Sequence, residues 1–234
     1  KCSSMYDAYW SVAPIVIVFY WLFSAEEGVH PIRAGAVLFL VTWWGVRLTY
    51  NWARSWPGLH HTDWRYEIMR ERAPKVWFFS DLFGIHLFPT VEVLAALSGA
   101  WVAVSQGTNA LSWIDALALV VTAGAIVIET VADQQLVAFA KVKKPGEIIK
   151  TGLWAYSRHP NYFGELSFWW GLYLFGLAAN PSYLWTIVGP IAMSAMFLGV
   201  SIPWMDQRSC ERRPEYADHM RRVSGLVPWF PKKA

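Results

Sequence analysis

The sequence is short of charge and of cysteine. Only 16% of its 234 residues are charged, against 55% apolar and 17% aromatic residues, a balance that argues against a water-soluble globular domain. The net charge of +3 gives little reason to expect a nucleic-acid partner. The two cysteines, Cys2 and Cys210, stand near opposite ends of the chain, which excludes a disulfide framework and a cysteine-based metal site.

Internal repeats, heptads and low-complexity tracts are also lacking, and long apolar stretches take their place. Six can be read, at 9–24, 35–50, 76–105, 112–128, 164–180 and 182–204. A helix needs about 20 residues to cross the hydrocarbon core of a bilayer, and several of these stretches reach that length. The sequence therefore predicts an all-α fold: a polytopic membrane helical bundle of six transmembrane helices, or seven, forming one domain over residues 1–234.

The positive charges are unevenly distributed between these stretches. Seventeen of the twenty Lys and Arg residues lie in 51–75, in 129–163 or after 204, whereas the alternate loops hold only Arg33. Cytoplasmic loops of membrane proteins are enriched in Lys and Arg. We therefore expect an even number of spans with both termini cytoplasmic, in a bacterial inner membrane or the endoplasmic reticulum.

The densest polar cluster is the run from Tyr156 to Glu165. Pro160 suits the first turn of a helix, where its missing N–H is no loss. The free N–H groups of that turn, the positive helix end and the Arg158 guanidinium together favour an anionic phosphate. Asn161 and Glu165, four residues apart, share a helix face and suit a bound amide or ribose. A helix cap with a snorkelling Arg158 is the structural alternative, and both interpretations stay open.

Other candidates are ionisable groups that a membrane helix rarely carries. Glu129 and Asp133 are four residues apart at the end of the fourth stretch, and Lys141, Lys143 and Lys144 follow. For those lysines a solvated basic loop at the lipid surface is the alternative.

Five further ionisable candidates lie within or beside apolar stretches: Tyr50, Asp81, His86, Glu92 and Asp115. We expect interfacial solvation for Asp81 and Asp115, and for His86 and Glu92 function and structural pairing stay open.

The C-terminal tail is first charged and then apolar. Asp206 and Arg208 lie in its charged part, and 223–231 returns to apolar and aromatic residues. This order is typical of a segment that folds back on the membrane face.

Several of these motifs resemble one enzyme family. The run from Tyr156 to Gly171, the Lys144–Glu147 run and the tail from Glu211 to Pro228 are similar to the C-terminal region of membrane reductases related to steroid 5-alpha-reductases and sterol reductases. Bacterial members of unassigned substrate also resemble this chain at Arg47–Arg54 and Phe83–Thr90. The Arg-His-Pro-x-Tyr core alone is shared with isoprenylcysteine and phospholipid methyltransferases.

The resemblance implies a 3-oxo-5-alpha-steroid 4-dehydrogenase-like oxidoreductase in a multi-pass membrane bundle. It would use NADPH to reduce a carbon–carbon double bond conjugated to a carbonyl in a lipophilic substrate. By that resemblance the cofactor site is formed by 129–165 and 204–231, and its residues would be Asp133, Lys141, Lys143, Lys144, Tyr156, Arg158, His159, Asn161, Tyr162, Glu165 and Arg208.

The same resemblance makes Tyr50 the residue that polarises the substrate carbonyl. Negative charge collects on the carbonyl oxygen as hydride arrives, and His86 or Glu92 would hold Tyr50 or relay its proton. The steroid reductases carry an early Gln-Glu pair that is missing here. Glu26-Glu27 is the nearest acidic pair, and it falls on the predicted outer side.

Two other functions stay open. The shared core suits a membrane methyltransferase that uses S-adenosylmethionine, and a bundle without enzymatic activity would bind lipids or sterols. In each case we expect membrane lipid and a lipophilic small molecule as partners, and a monomer.

Overall fold

Helices make up most of the chain. The computed structural model describes residues 3–56, 58 and 62–232, and these residues form no β-strand. The α-helices are α1 (Tyr9–Phe23), α2 (Pro31–Ser55), α3 (Trp64–Arg72), α4 (Trp77–Phe79), α5 (Phe88–Ala96), α6 (Ser98–Trp101), α7 (Trp113–Val142), α8 (Pro160–Ala179), α9 (Val188–Met196), α10 (Ile202–Arg212) and α11 (Tyr216–Arg222). Tighter 3-10 segments cover Ser3–Ala8, Pro74–Val76, Gly152–Ala155 and Pro181–Ile187, and wider π-helical segments cover Ser80–Leu87, Val102–Gln106 and Phe197–Ser201.

Five helical stretches among the described residues are long and apolar enough to cross a membrane. They are Met5–Phe23, Pro31–Ser55, Pro74–Ala96, Trp113–Val142 and Pro181–Arg212. The prediction of an all-α polytopic membrane protein is thereby confirmed. The predicted stretch at 164–180 lies on α8, which has 20 residues and is not among these five. The orientation of the termini stays a prediction.

The third of these spans passes through a proline without breaking. Pro89 cannot donate a backbone hydrogen bond, and its ring crowds the preceding turn of an α-helix. Just before it the helix widens to the π form over Ser80–Leu87, and the N–H of Phe88 donates to the carbonyl of Phe83, five residues earlier. A π-helical segment of this kind accommodates an irregular position within a helix.

The chain forms two compact units. The first comprises Lys1–Ala116 and Leu172–Gly189, and the second comprises Leu117–Gly171 and Pro190–Ala234. The boundaries between them fall inside α7, α8 and α9. That residues 1–234 act as one domain stays a prediction.

In the first unit, the core is built on α2. Val37, Leu40, Val41 and Trp44 are spaced along one face of this helix and are almost completely buried, as expected for an apolar helix stripe. α1 packs along α2 and contributes the fully buried Val18.

Arg33, the one cation of the alternate loops, is neutralised inside the first unit. Its side chain is fully buried, and its Nε lies 2.6 Å from Oδ1 of Asp115. Its Nη2 donates to Oδ2 of Asp115 over 3.0 Å, and its Nη1 donates to the carbonyl of Asn109 over 2.9 Å. Buried charges persist when they are paired in this way. The expectation that Asp115 is solvated at the interface is therefore wrong, because only 8% of the residue is exposed.

A tight turn at Asn180-Pro181-Ser182 follows α8. The Asn180 side-chain oxygen accepts a hydrogen bond from the backbone N–H of Ser182 over 3.0 Å. The N–H of Tyr183 donates to the carbonyl of Asn180 over 3.2 Å. This Asx turn ends α8 and starts the next helical segment.

Gly99 permits a close backbone contact in the first unit. A Cβ at this position would lie 2.7 Å from the carbonyl oxygen of Leu172 and 2.7 Å from Cα of Tyr173. Small residues at such crossings let membrane helices pack backbone to backbone.

We expect Gly99→Ala to destabilise the protein, because both clashing groups are backbone atoms that cannot rotate away. Overpacking of this kind typically costs about 1–3 kcal/mol, and denaturant titration in detergent micelles measures it. Gly35→Ala is the matched control, because a Cβ at Gly35 would meet nothing within 4 Å. It should be neutral or stabilise by about 0.5–1 kcal/mol, since alanine favours helix over glycine. Equal effects of the two substitutions would contradict the close packing.

Candidate functional site

A buried carboxylate stands at the start of α8 in the second unit. As predicted, α8 begins at Pro160, and the two residues before it, Arg158 and His159, both bond to Asp206 of α10. Arg158 donates from Nη2 to Oδ2 over 2.7 Å and from Nε to Oδ1 over 3.3 Å. Nε2 of His159 lies 3.0 Å from Oδ1. A carboxylate only accepts hydrogen bonds, so Nε2 carries the ring proton.

Tyr216 of α11 completes the environment of Asp206. Its hydroxyl donates to Oδ1 over 2.9 Å, and only 5% of Asp206 is exposed. The pKa of Tyr216 is raised, chiefly by burial and secondly by the negative charge of Asp206. The phenol therefore stays a donor at neutral pH. Four donors therefore compensate for removing the Asp206 carboxylate from water.

The other donors of Arg158 hold the end of the chain. Nη1 donates to the carbonyls of Met220 over 3.1 Å and Val223 over 2.7 Å. The backbone N–H of Arg158 donates to the carbonyl of Ser224 over 2.9 Å. The anion that Arg158 meets in this structure is thus a carboxylate of the same chain. Its predicted contact with a cofactor phosphate stays a prediction, which this arrangement does not favour.

His219 contributes no further positive charge to this cluster. It is 8% exposed, and its ring centroid lies 5.6 Å from that of Tyr216. Burial, followed by the neighbouring charges of Lys150 and Arg158, lowers the pKa of His219. The imidazole is therefore neutral at pH 7.

The predicted cofactor residues of α8 follow directly on this cluster. The His159 ring stacks on that of Tyr162 at 5.2 Å and 9°, and Tyr162 meets Phe197 edge-on. Oε1 of Glu165 accepts from Nε1 of Trp169 over 2.8 Å. Asn161, Tyr162 and Glu165 are all half-buried. The first turns of α8 therefore present ordered polar groups that keep partial access.

α7 approaches these turns at Gly164. A Cβ on Gly164 would lie 2.5 Å from Cγ of Glu129 and 2.9 Å from the carbonyl oxygen of Ala125, so only glycine fits without a shift. Glu129 is 3% exposed, and Asp133, one turn further along the same face of α7, is half-buried. The structure thus brings a carboxyl-bearing part of α7 to the start of α8, a contact that no local spacing predicts.

The remaining predicted cofactor residues lie around this centre. Lys141 lies in the last turn of α7. All three lysines, Lys141, Lys143 and Lys144, are exposed. Arg208 is half-buried on α10. It comes two residues after Asp206 and so lies on nearly the opposite face of that helix. Tyr156 is 42% exposed, and its ring meets Phe230 edge-on at 5.9 Å.

In the first unit, His86 pairs with a tyrosine that the sequence did not single out. The ring centroids of Tyr6 and His86 are 4.5 Å apart. The Tyr6 hydroxyl donates to the His86 carbonyl over 3.2 Å and also bonds to the hydroxyl of Thr90. Nδ1 of His86 lies 2.8 Å from the carbonyl oxygen of Asp81. Tyr6 is separated from His86 by 80 residues, so no sequence spacing indicates this contact.

Tyr50 lies at one end of a groove along α2. The groove has a volume of about 610 Å³ and is open on its outer side. It is lined by Phe39, Thr42, Trp43, Val46, Arg47 and Tyr50. Tyr50 is 64% exposed, and the Arg54 guanidinium carbon lies 5.6 Å from its ring centroid.

Glu92 is buried in the same unit, with 6% exposure. Its Oε1 has no hydrogen-bond partner within the part of the chain that the structure describes. Over the same residues neither His86 nor Glu92 forms a hydrogen bond with Tyr50. The expected pairing of Tyr50 with either of them is therefore not formed in this structure, and their catalytic roles stay predictions.

Comparison with known proteins places the chain in a family. Residues 1–223 match the sequence profile described as "Protein of unknown function (DUF1295)". The chain belongs to this DUF1295 family. It is also similar to an uncharacterized protein of Schizosaccharomyces pombe, with 29% identity over 97% of this chain and 73% of the yeast protein. No solved structure gives a significant match.

In this DUF1295 member, Asp206 is the residue of the candidate site whose role the sequence did not reveal. The sequence placed it in a charged tail segment without a partner. Its signal was a lone carboxylate near the end of an apolar stretch, which membrane helices rarely carry unpaired.

We expect Asp206→Asn to destabilise the protein strongly, because it leaves the buried Arg158 guanidinium without a counter-charge. Removing one partner of a buried ion pair typically costs about 3–5 kcal/mol. Asp218→Asn is the matched control: Asp218 pairs with Arg221 and Arg222 at the surface, where its side chain is 46% exposed, and exposed pairs contribute at most about 1 kcal/mol. The free energy of unfolding in detergent measures both, and a loss at Asp206 no larger than at Asp218 would contradict the assigned role.

Proposed function

We propose that this chain is an NADPH-dependent membrane reductase. It would reduce a carbon–carbon double bond conjugated to a carbonyl in a lipophilic, steroid-like substrate. The observation that carries the proposal is the meeting, at Gly164, of the carboxyl-bearing part of α7 with the polar first turns of α8. The resemblance of the same residues to steroid 5-alpha-reductases adds independent support.

The residues of the second unit fit the parts of NADPH. Carboxylates are good acceptors for ribose hydroxyls, and Glu129 and Asp133 supply two on one helix face. Three exposed lysines, Lys141, Lys143 and Lys144, follow within the next turns and suit phosphates. Asn161 offers an amide that both donates and accepts. When bound, the cofactor supplies the hydride.

Arg158 has a different role in this proposal. Its Nε, Nη1 and Nη2 all donate to Asp206 or to carbonyls of the tail. A phosphate would have to compete with the carboxylate of Asp206 for these donors. The proposal therefore assigns the phosphate contacts to the lysines, with Arg208 as a fourth cation, and assigns Arg158 to holding the site together.

The groove of the first unit suits the lipophilic substrate. It is an open surface with a volume of about 610 Å³, so a ligand would lie along α2 with one side uncovered. Phe39, Trp43 and Val46 make it largely apolar, and Arg47 and Tyr50 provide polar groups at one end. A substrate with an apolar body and a single carbonyl would meet both kinds of surface.

Tyr50 would stabilise the charge that develops during hydride transfer. As hydride reaches the β carbon, the electron pair of the double bond moves toward the carbonyl oxygen. The Tyr50 O–H donates to that oxygen, and such a bond is strongest where water is excluded.

NADPH should raise the melting temperature of the purified protein, whereas S-adenosylmethionine should not. A ligand present at about 100 times its dissociation constant adds about 2.7 kcal/mol of stability, which a thermal-shift measurement detects. Stabilisation by S-adenosylmethionine alone would favour the methyltransferase, and no effect of either cofactor would favour a lipid or sterol binder.

A lysine variant tests the cofactor site itself. In Lys141→Ala/Lys143→Ala/Lys144→Ala, the thermal shift produced by NADPH should fall to that produced by NADH, which lacks the 2′-phosphate. Lys150→Ala, which removes another exposed cation of the same loop, is the control and should keep the NADPH preference. An unchanged preference in the triple variant would exclude these lysines from the site.

We expect Tyr50→Phe to lower the turnover number and to leave the NADPH affinity nearly unchanged, because it removes one donor to the developing charge. Loss of an oxyanion donor typically costs about 10²–10³ in turnover. Tyr20→Phe removes the hydroxyl of another exposed tyrosine in the same unit and should have no effect. Steady-state kinetics separates the two, and normal turnover in Tyr50→Phe would remove Tyr50 from the mechanism.

A further inference from the structure

The last described residues form a segment that is fixed by its backbone. We call residues 223–232 the tail strip. Its hydrogen bonds are Arg158 N–H to Ser224 carbonyl at 2.9 Å, Ser157 Oγ to Leu226 carbonyl at 2.7 Å, Trp229 N–H to Tyr156 carbonyl at 2.9 Å and Lys232 N–H to Arg222 carbonyl at 2.9 Å. The tail is therefore bonded to the rest of the second unit, and its position on the membrane face stays a prediction.

The tail strip nevertheless exposes its largest apolar side chains. Val227 is 55% exposed, Trp229 71% and Phe230 76%. Their backbone is held in place by hydrogen bonds, so these side chains stand exposed on an ordered segment. Exposed apolar groups close together in an ordered segment are typical of an interaction site.

The tail strip is bonded to residues near the end of a predicted membrane span. Its anchor, Arg158, is bonded to Asp206, and Asp206 lies two residues after the apolar stretch at 182–204. At 1.5 Å per residue this is about 3 Å beyond the end of that stretch. Tryptophan is enriched at this depth in membrane proteins, where hydrocarbon gives way to headgroups.

Positive charge flanks the apolar side chains. Lys232 belongs to the tail strip and is bonded through its backbone to Arg222, and Arg221 precedes it on α11. Asp218 pairs with both arginines, at 3.0 Å and 3.1 Å, so the local balance remains positive. Basic residues beside apolar and aromatic ones suit an anionic lipid surface.

We propose that the tail strip is a membrane-surface anchor. Val227, Trp229 and Phe230 insert into the interface of the bilayer, and Arg222 and Lys232 contact anionic headgroups. The anchor fastens α10, α11 and the start of α8 to the membrane surface through the Arg158–Asp206 pair. It does not depend on the proposed reaction.

A depth measurement on the full chain in lipid nanodiscs tests this proposal. In a Cys2→Ser/Cys210→Ser background, Phe230→Cys carries an environment-sensitive fluorophore, and Ala217→Cys, exposed on α11, carries it in the control. At position 230 we expect blue-shifted emission and stronger quenching by lipids with a nitroxide near the headgroup than by lipids with one at the chain end. Water-like emission without quenching, or equal quenching at positions 217 and 230, would overturn the proposal and leave the surface to a protein partner.

Lipid charge tests the role of the cations. Quenching at position 230 should fall when phosphatidylglycerol is replaced by phosphatidylcholine, and Arg222→Gln/Lys232→Gln should remove that difference. If quenching does not change with lipid charge, the contact of Arg222 and Lys232 with anionic headgroups is excluded. A melting temperature close to that of the parent protein verifies that each variant is folded.

Discussion

The buried carboxylate of Asp206 is the constraint on which the second unit depends. It accepts from Arg158, His159 and Tyr216, so the residues before α8 meet α10 and α11 at one group. Without it Arg158 would be a buried cation with only carbonyls for partners. Arg158 also bonds to the carbonyls of Met220 and Val223, so the course of the tail depends on this pairing.

Much of the fold is predictable from the sequence because it depends on local patterns. Apolar stretches of the right length predict the spans, and Pro160 predicts the start of α8. The pairing of Arg158 with Asp206 is not predictable in this way, because 48 residues separate them and a guanidinium beside a helix start suits a phosphate equally well. Tyr6 is missed for the same reason, because its contact with His86 depends on how the segments Ser3–Ala8 and Ser80–Leu87 pack. Glu129 and Gly164 meet through tertiary packing, although each is a recognisable signal alone.

The proposed chemistry divides between groups of different character. The second unit supplies carboxylates, an amide and exposed lysines, which suit a nucleotide, and the first supplies an apolar groove with a phenol and a guanidinium at its end. Arg158 shows why a motif and a role must be distinguished. The Arg-His-Pro-x-Tyr run suggests an anion site, but the guanidinium of its arginine pairs with the carboxylate of Asp206. The proposed function therefore gives phosphate binding to the lysines.

The boundaries between the two units fall within α7, α8 and α9 rather than in loops. Separating the units at these boundaries would therefore cut three helices in mid-course and expose apolar side chains at the cut ends. Exchange of a whole unit for that of a relative meets the same obstacle, whereas substitutions and changes in loop length leave the shared helices intact.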